Sequence, residues 1–257
     1  MSRTKNGYTT IVFDLTGVIF KVNKLDMCKR LGLWRTFWYV LTHRKNPVDL
    51  YLNTLNALER LSAHTAENND QMRFGDISFP ASITEYFTGK KTGRQTAYEL
   101  HAGIQTLYME HYFASQQERA LVDHVVSRFF INDKNASGFI PIKKSIEIIK
   151  KLKGSYRLLL LSNFDKETFA QLYTRYRPIF DLFDGMVISG QVGLLKPYKP
   201  VYQHLLNSYK ITAEETIFVD DQEENLREPR KMGLKTILYK KHSQLLRELQ
   251  TYTSVKF

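Results

Sequence analysis

Residues 9–17 read TTIVFDLTG, and this stretch decides the fold class. The β-branched and aromatic side chains up to Phe13 predict a buried strand. Asp14 then places a carboxylate at the carboxyl end of that strand, and Gly17 lets the chain turn. In a parallel sheet, the carboxyl ends of the strands are where ligands bind. The stretch therefore predicts an acidic site at one edge of a sheet.

The second half of the chain alternates between predicted helices and predicted strands. Residues 156–163, 185–189, 216–221 and 236–239 read as strands, and helical patterns precede or separate them, beginning near Pro141. This alternation predicts an α/β fold with a Rossmann-like three-layer parallel sheet and right-handed crossovers. The polar strand ends would then converge on one edge.

Residues 21–135 have a different character. Apolar residues recur there at helical spacing, as in the leucines at positions 50, 55, 58 and 61. We expect an all-helical module inserted between the first strand and the rest of the sheet. The predicted core therefore comprises residues 1–20 and 136–257.

Composition narrows the class of protein. The chain has 257 residues, of which 43% are hydrophobic and 25% charged, so it can build a sizeable core and is not disordered. Cys28 is the sole cysteine, so no internal disulfide can form, and the histidines lack zinc-site spacing. The formal charge of +11 indicates an anionic partner, which could be nucleic acid, an acidic membrane or a phosphorylated substrate.

The start of the chain lacks the apolar run and cleavage pattern of a signal peptide, so we expect no export and a cytoplasmic location. The most hydrophobic window, residues 31–41, contains Arg35 and falls short of the roughly 18 apolar residues that span a bilayer. No transmembrane segment is expected.

The strand ends bring several polar residues together. Three acids would repel one another there unless a hard cation lay among them, and oxygen ligands of this kind suit Mg²⁺. A carboxylate nucleophile, a metal ion and a lysine that can hold a phosphoryl group are the parts required for phosphoryl transfer. The candidates are Asp14, Ser162, Asn163, Lys196, Asp220 and Asp221.

Four segments, in this order, resemble the motifs of the haloacid dehalogenase superfamily. They are FDLTGV at residues 13–18, LSN at 161–163, LKP at 195–197 and FVDDQEEN at 218–225. The resemblance covers the predicted core, and residues 21–135 fall where that family places a helical cap over small soluble substrates. The sequence looks most similar to the phosphatase branch, which includes the amino-terminal domains of epoxide hydrolases.

The resemblance implies a role for each matching residue. Asp14 would be the nucleophile that forms an aspartyl-phosphate, while Ser162, a backbone amide at Asn163 and Lys196 would hold the phosphate. Asp221 would ligate Mg²⁺ directly, with Asp220 in support and with the backbone carbonyl of Thr16 as a further ligand. Gly17 and Asn225 would be supporting residues, the latter by orienting Lys196.

Thr16 departs from the phosphatase pattern, which has a second Asp two residues after the nucleophile. That Asp is the general acid and base, and its loss lowers the rate by about 10²–10⁴-fold. The resemblance thus implies a slow Mg²⁺-dependent phosphatase acting on a small phosphorylated metabolite. The alternative is a catalytically impaired protein that binds a phosphorylated ligand or a macromolecule.

Residues 21–50 carry a surplus of five positive charges and interleaved aromatic residues, namely Trp34, Phe37, Trp38 and Tyr39. One interpretation is that the aromatic side chains pack inside the protein while the charges face solvent. Some of the cations could instead hold an anionic substrate. Nucleic-acid binding is a weaker third possibility, and it predicts affinity that falls steeply with salt.

Overall fold

The computed structural model describes residues 7–23, 39–41, 46–62, 71–74, 77–131 and 135–255. The chain forms two compact units, Met1–Val22 with Phe139–Phe257, and Asn23–Gly138. We call the first the core unit and the second the inserted unit. The predicted boundaries fall within three residues of these limits.

The strands are, in chain order, β1 Thr10–Phe13, β2 Phe20–Val22, β3 Arg73–Phe74, β4 Ile77–Ser78, β5 Phe139–Pro141, β6 Arg157–Ser162, β7 Gly185–Ile188, β8 Thr216–Asp220 and β9 Lys235–Leu238. Five of them form a parallel sheet in the order β7-β6-β1-β8-β9. This confirms the predicted Rossmann-like α/β core. The strands β2 and β5 form a separate antiparallel pair, which the sequence analysis did not predict.

The helices of the core unit flank this sheet. They are α5 Lys143–Leu152, α6 Lys166–Arg175, α7 Arg177–Phe180, α8 Ser189–Val192, α9 Lys199–Tyr209, α10 Glu223–Lys231 and α11 His242–Tyr252. Pro141, which was expected to open a helix, instead ends β5, and α5 begins two residues later. Its apolar face buries Ile148, Ile149 and Leu152. Helices on the sheet explain why its central strands are apolar on both faces.

The register of the central strands aligns the polar residues that follow them. Phe13 pairs with Leu160 of β6 and with Val219 of β8. The backbone N–H of Asp14 then donates to the carbonyl of Val219 at 2.8 Å. The acids that end β1 and β8 are therefore neighbours at the same edge of the sheet.

The inserted unit contains the helices α1 Pro47–Ser62, α2 Ala81–Phe87, α3 Gly93–Met109 and α4 Gln116–Phe130. Its core includes Leu58, Tyr86, Leu100 and Ile104. The prediction of an all-helical module was wrong in one respect, since β3 and β4 form a short antiparallel hairpin. Only two residues lie in each strand, so no alternating pattern could reveal them.

Most of the basic aromatic segment, at residues 24–38 and 42–45, lies outside the described residues, as does Cys28. Of its aromatic residues Tyr39 is described, and this side chain is buried and donates a hydrogen bond to Glu118 at 3.1 Å. Nucleic-acid binding through the segment stays a prediction. No helix in the described part of the chain is long and apolar enough to cross a membrane.

Candidate active site

A buried lysine lies between two buried carboxylates at the carboxyl edge of the sheet. The Nζ atom of Lys196 is 2.6 Å from Oδ1 of Asp14 and 2.6 Å from Oδ2 of Asp220. These three side chains are at most 7% exposed. Charge-assisted hydrogen bonds of this length are strong, and burial makes each partner depend on the others. The sequence analysis predicted all three residues for this site.

The backbone of Lys196 is fixed by the side chain of Asn163, just after β6. The Asn163 amide donates to the Lys196 carbonyl at 2.8 Å, and its oxygen accepts from the Lys196 N–H at 2.8 Å. These two hydrogen bonds have the same pattern as the bonds that a residue of one β-strand forms with its neighbour in the next strand. It ties the end of β6 to a loop 33 residues away and sets where the lysine side chain begins.

Asp220 is held by more than the lysine. Its carboxylate accepts from the backbone N–H of Gln222 at 2.8 Å and from the Asn225 amide at 3.1 and 3.2 Å. Oδ2 of Asp220 also accepts from Lys196, so Asn225 is linked to the lysine through Asp220, and its expected role in orienting Lys196 stays a prediction. Asn225 lies on the first turn of α10, next to the strand that ends at Asp220. Tyr202 in turn donates to the Asn225 carbonyl at 2.7 Å.

Burial changes the pKa values of the ionisable side chains in this cluster. Loss of solvent, with further contributions from Asp220 and Asp221, raises the pKa of Asp14 to about 7, although Lys196 opposes the shift. Asp221 keeps an exposed surface, but the protein around it displaces part of its solvent, and this together with the charge of Asp220 raises its pKa. The pKa of Lys196 is raised because the two carboxylates outweigh its own desolvation. The lysine therefore stays charged. Its single positive charge does not balance the three acids when they are ionised.

The three acids could hold a metal ion. One carboxylate oxygen from each of Asp14, Asp220 and Asp221 lies within 4.8 Å of the others. With Lys196 counted, the ionised cluster has a formal charge of −2, which one divalent cation neutralises. Oxygen ligands of this type suit Mg²⁺. Asp220 is already engaged by four hydrogen bonds, whereas Asp221 is exposed, which favours Asp221 as the more available ligand.

Gly17 lies directly against this acid cluster. Its φ of +94° is a conformation that favours glycine, and a Cβ added there would lie 2.0 Å from Oδ2 of Asp221. A side chain at position 17 would displace that carboxylate. The glycine was predicted as a supporting residue for its turn, and the structure adds this close approach to the acid.

Ser162 and Thr16 lie at the same edge of the sheet. Ser162 is the last residue of β6 and is 2% exposed. Thr16 is half-buried, two residues after Asp14, and its backbone bridges to Phe20. Its hydroxyl cannot act as an acid or base near neutral pH, so Asp14 has no proton-transfer partner at that position.

Sequence reasoning missed two contacts that support the site. The Gln222 N–H caps Asp220, and the Asn163 side chain binds the Lys196 backbone. A backbone donor two residues after an acid is a common local pattern and was detectable in principle. The Asn163 contact joins residues far apart in sequence, so only the folded chain reveals it.

Comparison with known proteins identifies the family of the chain. The sequence matches the haloacid dehalogenase-like hydrolase family over residues 8–233, which is most of its length. The chain belongs to this family of hydrolases.

Individual relatives match the chain over shorter stretches or at low sequence identity. The mouse bifunctional epoxide hydrolase 2 is 40% identical over 75 residues, which are 29% of this chain and 14% of that protein. The sesquiterpene phosphatase astK of Aspergillus oryzae is 33% identical over 95 residues, 37% of this chain and 48% of its own. The chain thus spans less than half the length of these relatives. A magnesium and phosphate complex of a Bacteroides thetaiotaomicron enzyme of the family has a TM-score of 0.52 at 16% identity, covering 91% of this chain and 95% of that one, and it shows the shared fold.

The Asn163 contact can be tested through stability. Asn163→Ala removes both hydrogen bonds to the Lys196 backbone, and we expect the free energy of unfolding to fall by about 2 kcal/mol, at roughly 1 kcal/mol for each bond. Urea unfolding measures this loss. As a control, Asn207→Ala removes an exposed asparagine from α9 and should change stability by less than about 0.5 kcal/mol. Equal effects of the two substitutions would contradict the view that the Asn163 side chain fixes the backbone of Lys196.

Proposed function

We propose that this protein is a Mg²⁺-dependent phosphatase that hydrolyses a small phosphorylated metabolite through an aspartyl-phosphate on Asp14. One observation carries the proposal: Lys196 bridges Asp14 and Asp220 at 2.6 Å, and Asp221 completes an acid cluster of metal-binding size. A structural ion pair alone would not need a third acid. A lysine and a metal ion beside a carboxylate are together suited to a phosphoryl group.

The chemical step uses Asp14 as the nucleophile. One carboxylate oxygen forms a bond to phosphorus while the bond from phosphorus to the leaving oxygen breaks. Lys196 attracts the phosphoryl oxygens, together with the hydroxyl of Ser162 and the backbone N–H of Asn163. Water then attacks the phosphorus of the aspartyl-phosphate, which releases phosphate and restores the carboxylate.

Asp14, Asp221 and the backbone carbonyl of Thr16 would hold the Mg²⁺ ion, with Asp220 in support. A bound divalent cation neutralises negative charge on the acids and on the phosphoryl group, so that an anionic nucleophile can approach an anionic substrate. The net formal charge of −2 in the described cluster supports this assignment.

The relatives favour phosphate chemistry. The matching segment of the Aspergillus oryzae protein belongs to a sesquiterpene phosphatase. We also propose a cytoplasmic location, because a chain with a single cysteine is typical of a reducing compartment.

Thr16 favours a second candidate function. Without an acid or base at that position, the protein would bind a phosphorylated ligand at the cluster and hydrolyse it at a negligible rate. In that case the acids and Lys196 form a recognition site, and no phosphate would remain on Asp14.

A trapping experiment separates the two functions. The protein is incubated with p-nitrophenyl phosphate and Mg²⁺, quenched in acid and digested, and the peptide that contains Asp14 is analysed by mass spectrometry. We expect a phosphate on this peptide in the wild type and none in Asp14→Asn. The control Asp181→Asn changes an exposed carboxylate of the core unit and should keep the adduct. Absence of both adduct and turnover would support the binding function.

The role of position 16 predicts a gain of activity. We expect Thr16→Asp to raise kcat for an alkyl phosphate, by up to about 10²–10⁴-fold, because the new carboxyl can protonate the leaving oxygen. The gain should be smaller for p-nitrophenyl phosphate, whose leaving group needs no proton. Thr16→Asn has nearly the same shape and cannot transfer a proton. Steady-state rates that are equal in the two variants would show that proton transfer is not the missing function.

The pKa of Asp14 predicts how metal binding depends on pH. Because burial raises this pKa to about 7, the metal-free carboxyl is largely protonated at pH 6 and must lose its proton when a cation binds. We expect the apparent Mg²⁺ affinity to fall about tenfold for each pH unit below that pKa. Calorimetry in buffers of different ionisation enthalpy should show proton release, and Asp14→Asn should release fewer protons than wild type. An affinity that is constant from pH 6 to 8 would contradict the assignment.

A further inference from the structure

A serine, a histidine and an aspartate form a hydrogen-bonded chain on the helices α3 and α4 of the inserted unit. The Nδ1 atom of His101 is 2.7 Å from Oδ1 of Asp123, and its Nε2 atom is 3.0 Å from Oγ of Ser127. All three side chains are partly exposed. None of them has a role in the acid cluster of the core unit.

The contacts around His101 suit the neutral tautomer that a general base requires. Oδ2 of Asp123 pairs with the Arg119 guanidinium at 3.3 Å, and Oδ1 accepts from Nδ1 of His101. A neutral His101 that carries its hydrogen on Nδ1 presents Nε2 as an acceptor. In that tautomer the Ser127 hydroxyl is the donor, directed at a basic nitrogen. This order of nucleophile, base and orienting acid defines an activated serine.

The contact of Ser127 differs from that of several threonines on or at the end of helices. Thr54, Thr88, Thr106 and Thr174 each donate to the carbonyl four residues earlier, as hydroxyls inside helices commonly do. Ser127 meets the imidazole of another helix instead. Its lone pairs are thus available on the partly exposed side of α4.

Exposed apolar side chains lie beside this chain of groups. Tyr98 is 78% exposed, one turn before His101 on α3, and Ile131 is 42% exposed, one turn after Ser127. Their spacing along the helices makes them neighbours of His101 and Ser127. A small uncharged ester with an apolar acyl or aryl group suits such a surface.

We propose that Ser127 is a second reactive centre of the protein, which accepts an acyl group from activated esters. The Ser127 oxygen forms a bond to the acyl carbon as its proton passes to Nε2 of His101. The bond from the acyl carbon to the leaving oxygen breaks, and the proton leaves with that oxygen or returns to solvent. Asp123 stabilises the imidazolium formed in this step.

The position of Ser127 limits the substrates. Its backbone N–H lies inside α4, where helical hydrogen bonding occupies it, so it cannot stabilise an oxyanion. Aryl esters and other activated acyl donors should react, whereas alkyl esters and amides should not. The acyl group should leave slowly, so a covalent adduct accumulates.

The test uses p-nitrophenyl acetate as the probe and the full chain. Wild type should release a burst of p-nitrophenolate and carry an acetyl group on the peptide that contains Ser127, as mass spectrometry shows. Ser127→Ala should lose this adduct. His101→Gln should slow acetylation by about 10²–10⁴-fold. Asp14→Asn should leave it unchanged, which separates this site from the proposed phosphatase.

The chain supplies a matched control. On α9, Ser208 lies 3.3 Å from Nε2 of His204, and no described carboxylate pairs with that histidine. Ser208 should therefore stay unlabelled, and Ser208→Ala should keep the burst. The proposal is overturned if Ser127 and Ser208 react at equal rates, if the acetyl group lies elsewhere, or if no burst occurs. It is equally overturned if His101→Gln, checked for a normal thermal melt, reacts like wild type.

Discussion

The buried ion pairs of Lys196 are the constraint on which the rest of the core unit depends. Placing an ammonium and two carboxylates out of water carries a large desolvation penalty, which close contacts at 2.6 Å offset only while all partners are present. Removal of the lysine would leave two buried acids facing each other. The cluster is therefore a poor way to stabilise a fold, and this favours function as the reason for it.

The parallel sheet supplies the position for that cluster. The strands β1 and β8 are adjacent and in register, so the acids that follow them meet at one edge, and β6 brings Ser162 and Asn163 to the same edge. Apolar side chains fill both faces of these strands, so the polar residues collect at their ends. The loop that carries Lys196 is not part of the sheet, and the Asn163 amide fixes it there through two backbone contacts. Gly17 has no side chain at the point where Asp221 approaches, so it leaves room for that carboxylate.

Much of this arrangement could be predicted from the sequence because it depends on local pattern. Apolar runs of four to six residues that end in acids identify β1 and β8, and the rule for parallel sheets brings those ends together. The missing parts depend on contacts between distant residues or on very short elements. The hairpin of β3 and β4 is too short for a period to appear, and the pairing of Asn163 with the Lys196 loop joins segments with no common signal. The chain of Ser127, His101 and Asp123 was missed for the same reason, since two helices supply it.

The positive net charge of the whole chain can be related to the charge of the acid cluster. A divalent cation would bring the cluster of three acids and Lys196 to electrical neutrality, so the loaded site would have little net attraction for a phosphorylated substrate at long range. The formal charge of +11 would then supply the attraction, because a positive field around the protein raises the local concentration of anions and the rate of encounter. In the proposed function, hydrogen bonds from Lys196 and the backbone would hold the phosphate close to the acids. Long-range capture and short-range recognition would thus rest on different residues, so an acidic site is compatible with a strongly basic chain.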